Sequence, residues 1–136
     1  MGSRQSGRRR RGARGDRGAA VAEVVIITPV LMLVVLVLAQ VAMWAYATHI
    51  AQATAADALA ATRVRDGSIP DGRQTAQQVL GQLGPGPLRG VEVSITRDDE
   101  QAVVRIEGGT LSVVPLLKLP VHAEAAGPVE EPRALP

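Results

Sequence analysis

Val24–Ala47 reads VVIITPVLMLVVLVLAQVAMWAYA, with no charged side chain and with Thr28 and Gln40 as its only clearly polar interruptions. An α-helix rises about 1.5 Å per residue, so a stretch of this length crosses the roughly 30 Å hydrocarbon core of a bilayer with a little to spare. Trp44 and Tyr46 stand where an interfacial aromatic belt would lie. Pro29 falls inside this helix, forfeits the hydrogen bond to the Val25 carbonyl and is expected to kink the axis. A Thr28 hydroxyl bonded to a carbonyl one turn earlier would relieve part of that defect.

A cleaved secretory signal is the competing reading, because Ala45-Tyr46-Ala47 has the small-x-small form that signal peptidase prefers. Length argues against it. Signal h-regions run about 7 to 15 residues, and here the helical pattern continues past the proposed cut. Thr48–Val64, THIAQATAADALAATRV, has no Gly or Pro and is filled with alanine, the best helix former. One helix over about Ala19–Val64 is therefore expected. Ala47, Ala51 and Ala55 stand one turn apart, a spacing of small residues that lets another helix approach closely.

Upstream lies MGSRQSGRRRRGARGDRG, residues 1–18, where Arg4, Arg8, Arg9, Arg10, Arg11, Arg14 and Arg17 face only Asp16. The formal net charge of +2 hides this asymmetry, since the remainder is net acidic. The Gly- and Arg-rich head has no apolar periodicity and is expected to be disordered in isolation. Arginine clusters bind nucleic acid, but this one lacks interleaved aromatics and runs straight into the apolar segment. Its charge is read as topogenic, holding the N-terminus in the cytoplasm and sending the other end of a single-pass protein across the cytoplasmic membrane. No nucleic-acid partner is expected.

The rest forms a small exported α+β domain over residues 65–126, followed by a flexible tail, 127–136. Arg65–Gly72, RDGSIPDG, breaks the long helix. Arg73–Leu83 places Ala76, Val79, Leu80 and Leu83 on one face of a short helix that GPGP ends. Val91, Val93 and Ile95 alternate with Glu92, Ser94 and Thr96; Ala102, Val104 and Ile106 alternate with Val103, Arg105 and Glu107. Two antiparallel strands joined by a turn at Arg97–Gln101 follow, and Val121–Ala125 offers a third. So small a sheet needs a covering element, and the outer half of the long helix or the short helix supplies it. The chain has no cysteine, so packing alone holds this domain.

Nothing in the sequence has the spacing of an active site, and the chain reads as a non-enzyme without cofactor or metal. His49 and His122 are far apart in sequence and unclustered. Asp98–Glu100 is too short a run of acids for a calcium loop and reads as a solvated hairpin tip.

Glu23 is the chemically odd residue, an acid in the first turn of an apolar helix, where carboxylates are costly and usually paired. The helix N-terminus offers it a partial positive charge. Cleavage between Gly18 and Ala19 would offer a full one, since the new α-amine lies about 6 Å below Glu23 along the helix.

Gly18–Glu23, GAAVAE, behind a basic leader and ahead of an apolar helix containing Pro29, resembles the processing site of type IV prepilins. The wider run RGAAVAEVVIITPVLML, followed by THIAQATAADALAATRV, resembles the TadE-like pseudopilins of the tight adherence (Tad) pilus and secretion system. The resemblance implies cutting after Gly18 by a prepilin peptidase, with Ala19 as the new N-terminus. It implies that Glu23 neutralises the terminal amine of a neighbouring subunit, and that the partners are other pilin or Tad assembly subunits bound through the N-terminal helix. Val24 stands where many relatives carry an aromatic residue after the glutamate. Such proteins are minor pilins or assembly components. The alternative from another class is a signal-anchored envelope protein whose small exported domain binds a ligand or partner.

Overall fold

The computed structural model describes residues 13–83 and 86–130. The leader through residue 12 and the tail from residue 131 lie outside the described residues. The fold is α+β, in the order α1 (Ala13–Arg63), α2 (Ile69–Gln82), β1 (Leu88–Arg97), β2 (Gln101–Thr110) and β3 (Pro120–Pro128). It comprises two compact units, Met1–Val37 and Leu38–Pro136.

In the first unit the described residues are all helical. α1 begins at Ala13, six residues before the expected start at Ala19. Gly15 and Gly18 weaken the helix there but do not stop it, because each costs only about 1 kcal/mol relative to alanine. The Thr28 hydroxyl donates to the Val24 carbonyl at 2.7 Å, one turn below Pro29. The apolar side chains that follow are turned outward, Val25 at 66% and Leu31 at 59% exposed. This helix is long and apolar enough to cross a membrane.

The second unit is a three-stranded antiparallel sheet, in the order β1-β2-β3, packed on one face of α1 and on α2. The alternating strand pattern falls where period-2 geometry requires. Ala102, Val104 and Ile106 of the central strand are fully buried, Val121 and Ala123 of β3 lie beside them, and Val91, Val93 and Ile95 of β1 are half-buried. Register pairs these faces directly, Val93 with Ile106 and Ile106 with Ala123. Beneath them Ala47, Ala51, Ala55 and Ala58 of α1 have no exposed surface. The alanine spacing that suggested a second helix is thus taken up inside the unit, where small side chains let the helix pack closely. Buried Thr54 and Thr62 satisfy their hydroxyls on the carbonyls of Ile50 and Ala58, at 2.8 and 2.7 Å.

Two expected boundaries move. The segment read as a helix breaker contains the start of α2: Ser68 accepts from the Asp71 amide while Asp71 accepts from the Ser68 amide at 2.9 Å, a reciprocal capping box with Pro70 in the first turn. Proline is harmless there because first-turn amides have no helical partner anyway. β3 extends to Pro128, into the segment expected to be tail. The end of α1 is closed from afar. Arg97 donates to the carbonyls of Thr62 and Gly67, and the Glu130 amide donates to Arg63 at 3.0 Å.

Gly72 lies where α2 meets α1. A β-carbon there would overlap the Thr62 hydroxyl and press on the Ala58 carbonyl at 3.0 Å. Helix propensity favours Gly72→Ala by about 1 kcal/mol, whereas overpacking a filled site costs about 1–3 kcal/mol. The clash wins, so Gly72→Ala lowers the denaturation midpoint of the full chain in detergent micelles, and a raised midpoint would contradict this packing.

At the hairpin tip, the Asp98 carboxylate accepts from the amides of Gln101 and Glu100 at 2.6 and 3.0 Å. These two bonds, that from Gln101 foremost, hold its pKa below the usual value. A carboxylate depressed in the folded state contributes stability that is present above its unfolded pKa and lost as pH falls through the folded one. Hydrogen exchange of the Gln101 amide should therefore be protected at neutral pH, lose that protection under acid, and show no such acid step in Asp98→Ala.

Candidate processing and assembly site

The residues singled out near the N-terminus share one helix. Gly18, Ala19 and Glu23 are all exposed and helical. Ala19 and Glu23 are one turn apart, about 6 Å along the axis. Among the described residues Arg105 pairs with Glu124 at 2.6 Å and the His122 ring lies 4.0 Å from the Glu107 carboxylate; neither contact involves Glu23. Both are exposed cross-strand pairs on the solvent face of the sheet.

Gly18 is informative through what surrounds it. A β-carbon at this position meets nothing within 4 Å, and its backbone is not in the left-handed region. The fold of this chain gives no steric reason for glycine here, while helix propensity disfavours it. The same open surroundings are found at Gly15 and Gly81. Pro29 stands eleven residues on, inside α1, with the Thr28 hydroxyl occupying the Val24 carbonyl below it.

Gln40 is the residue whose role the sequence concealed. Read as a polar interruption of a membrane span, it is fully buried and makes four hydrogen bonds across the second unit. Its amide nitrogen donates to the Thr110 hydroxyl at 3.1 Å and the Leu111 carbonyl at 3.2 Å. Its amide oxygen accepts from the backbone of Val113 at 2.6 Å and Val114 at 3.2 Å. Trp44, expected in an aromatic belt, donates its indole N–H to the Pro120 carbonyl at 3.0 Å. The segment after β2 is thereby fastened to α1 from Gln40 to Trp44. The one available hint was a solitary amide in an otherwise aliphatic run, and its partners lie some seventy residues away.

The family comparison bears on this same helix. Residues 18–59 match the family model of TadE-like proteins. No curated protein and no solved structure matches the chain. The TadE-like match opens at Gly18, contains Ala19, Glu23, Pro29 and Gln40, and closes at Leu59, just past the alanine stripe. It stops short of α2 and the sheet, so those elements stand on their own geometry. Among the described residues no three His, Asp or Glu side chains are grouped so as to hold a metal ion.

Replacing Gln40 with leucine keeps the volume and removes all four bonds. A buried polar group left unpaired costs about 1–3 kcal/mol. Gln40→Leu should therefore lower the unfolding midpoint in micelles and accelerate hydrogen exchange at Val113 and Val114, while leaving exchange at Val104 in the central strand slow. Unchanged protection at Val113 and Val114 would rule out Gln40 as the fastening.

Proposed function

We propose that the chain is a membrane-anchored component of a Tad-type pilus assembly, processed between Gly18 and Ala19 and joined to its partners through the N-terminal half of α1. It acts by assembly and performs no catalysis. The leader lies in the cytoplasm, α1 crosses the cytoplasmic membrane once, and the unit from Leu38 onward is outside it, an orientation supported by the arginine-rich head.

The burial of Gln40 carries the reading of Glu23. Lipid-exposed irregular backbone is excluded from the hydrocarbon region, so the segment fastened to Gln40 supports an outer edge of the span on the N-terminal side of that residue. Counting back about 30 Å at about 1.5 Å per residue takes the inner edge to the neighbourhood of Ala20. Glu23 then falls inside the hydrocarbon edge rather than outside it. A lone carboxylate at that depth is costly. The α-amine created at Ala19 by processing, on this or a neighbouring subunit, is the counter-charge that removes the penalty.

Gly18 supports the same reading from the other side. A peptidase binds its substrate extended, and Gly15 and Gly18 are the weak points of a helix that has no packing need for them. The competing cut after Ala47 is disfavoured by structure, for Ala47 is fully buried in mid-helix beneath the sheet.

Mass spectrometry of the protein recovered from host membranes should show loss of residues 1–18, and an intact head would favour a plain signal anchor bearing a binding domain. Glu23→Gln removes the charge and keeps the shape. It should be processed and accumulate in the membrane normally, yet lose co-purification with other pilus subunits. Gly18→Leu should retain the leader and show the same assembly loss. Normal partner recovery and pilus function in both variants would mean that Glu23 is merely a helix-start acid.

A further inference from the structure

Between β2 and β3 runs Leu111–Leu119, LSVVPLLKL, whose sole charge is Lys118. At its apex the Leu117 amide donates to the Val114 carbonyl at 3.1 Å, closing a tight turn around Pro115 and Leu116. Leu116 has φ of +70°. That is the third position of a type II turn, where glycine or asparagine is the usual occupant because a β-carbon is strained there. The strain brings no packing in return, since the Leu116 side chain is 101% exposed. Leu111 and Leu117 beside it are 41% and 38% exposed. A large aliphatic group held in a costly conformation and presented wholly to the outside points to a contact that the isolated chain does not make.

We propose that this loop is a membrane-contacting tip, seating Leu116 and Leu117 in the interfacial zone of the bilayer that α1 crosses. The proposal rests on the membrane-anchored reading of α1. Two observations favour lipid over a protein occupant. Gln40, which fastens the root of the loop, stands in α1 two residues past Leu38, which closes an exposed, uncharged aliphatic run, so the root of the loop is held beside that run. Finally, Lys118 follows the leucines directly, placing a cation where anionic headgroups lie.

The chain has no cysteine, so one introduced thiol gives a unique label. Full-length Leu116→Cys, Leu117→Cys, Val34→Cys and Asp99→Cys proteins, each carrying an environment-sensitive fluorophore, are reconstituted into phosphatidylethanolamine–phosphatidylglycerol vesicles containing nitroxide-labelled lipid. Leu116 and Leu117 labels should lose emission to the lipid nitroxide, approaching the loss at Val34, while the Asp99 label on the hairpin tip is unaffected. If Val34 is quenched and the loop labels behave like Asp99, the tip proposal fails and the anchor stands. If Val34 itself is not quenched, the anchor reading fails and the tip proposal falls with it. Loop labels shielded from aqueous iodide yet insensitive to lipid nitroxide would assign the loop to a protein surface and overturn the proposal.

Discussion

The second unit depends on one face of α1 being small. Ala47, Ala51, Ala55 and Ala58 let a three-stranded sheet settle onto a helix closely enough for Val104 and Ile106 to be sealed from solvent by very little material. Without cysteines to restrain the unfolded chain, a unit of this size relies on close packing for its stability. A larger residue in the stripe would hold the sheet away and forfeit dispersion contacts along its length. Further links tie the ends of the sheet to the same helix. Gln40 and Trp44 hold the segment after β2, and Arg97 and the Glu130 amide close the last turn of α1.

The strands were readable because a half-buried sheet imposes a two-residue period, and the inward residues of β1, β2 and β3 are apolar except Arg97 and Thr110 at strand ends. α2 was half readable. Its apolar face showed, but Ser68 and Asp71 were obscured by the proline and glycine around them, which mark a break in a helix interior and are tolerated in a first turn. The alanine stripe shows the limit of periodicity as an argument. Spacing reveals that a face is small and apolar, and says nothing about what covers it. Here the cover is the chain's own sheet, formed from residues thirty or more positions downstream. Gln40 was hidden for the same reason, since its worth resides entirely in partners at Thr110–Val114.

The N-terminal site was legible to the extent that its chemistry is local. Gly18, Ala19 and Glu23 lie within two helical turns, and the cost of a carboxylate beside aliphatic residues follows from composition alone. Two things were not local. One is the open space around Gly18, shared with Gly15 and Gly81. The other is the burial of Gln40, on which the proposed depth of Glu23 rests.

These constraints divide the work of α1 along its length. From Leu38 onward one face is committed to the sheet and to α2, so any neighbouring subunit must meet a different face there. In the apolar segment no face is committed: the successive residues Val24, Val25, Ile26 and Ile27, which point in different directions around the axis, are 62%, 66%, 67% and 44% exposed. Helix association in lipid lacks a hydrophobic drive and is decided by packing and polar pairing. An aliphatic surface of this kind, rich in valine and leucine and poor in small residues, offers little that would choose one partner or one register over another. Glu23 is the exception. In an assembly of the proposed kind, pairing that carboxylate with a neighbour's α-amine fixes the axial position of one helix against the next, and the aliphatic remainder packs in whatever register the ion pair has set.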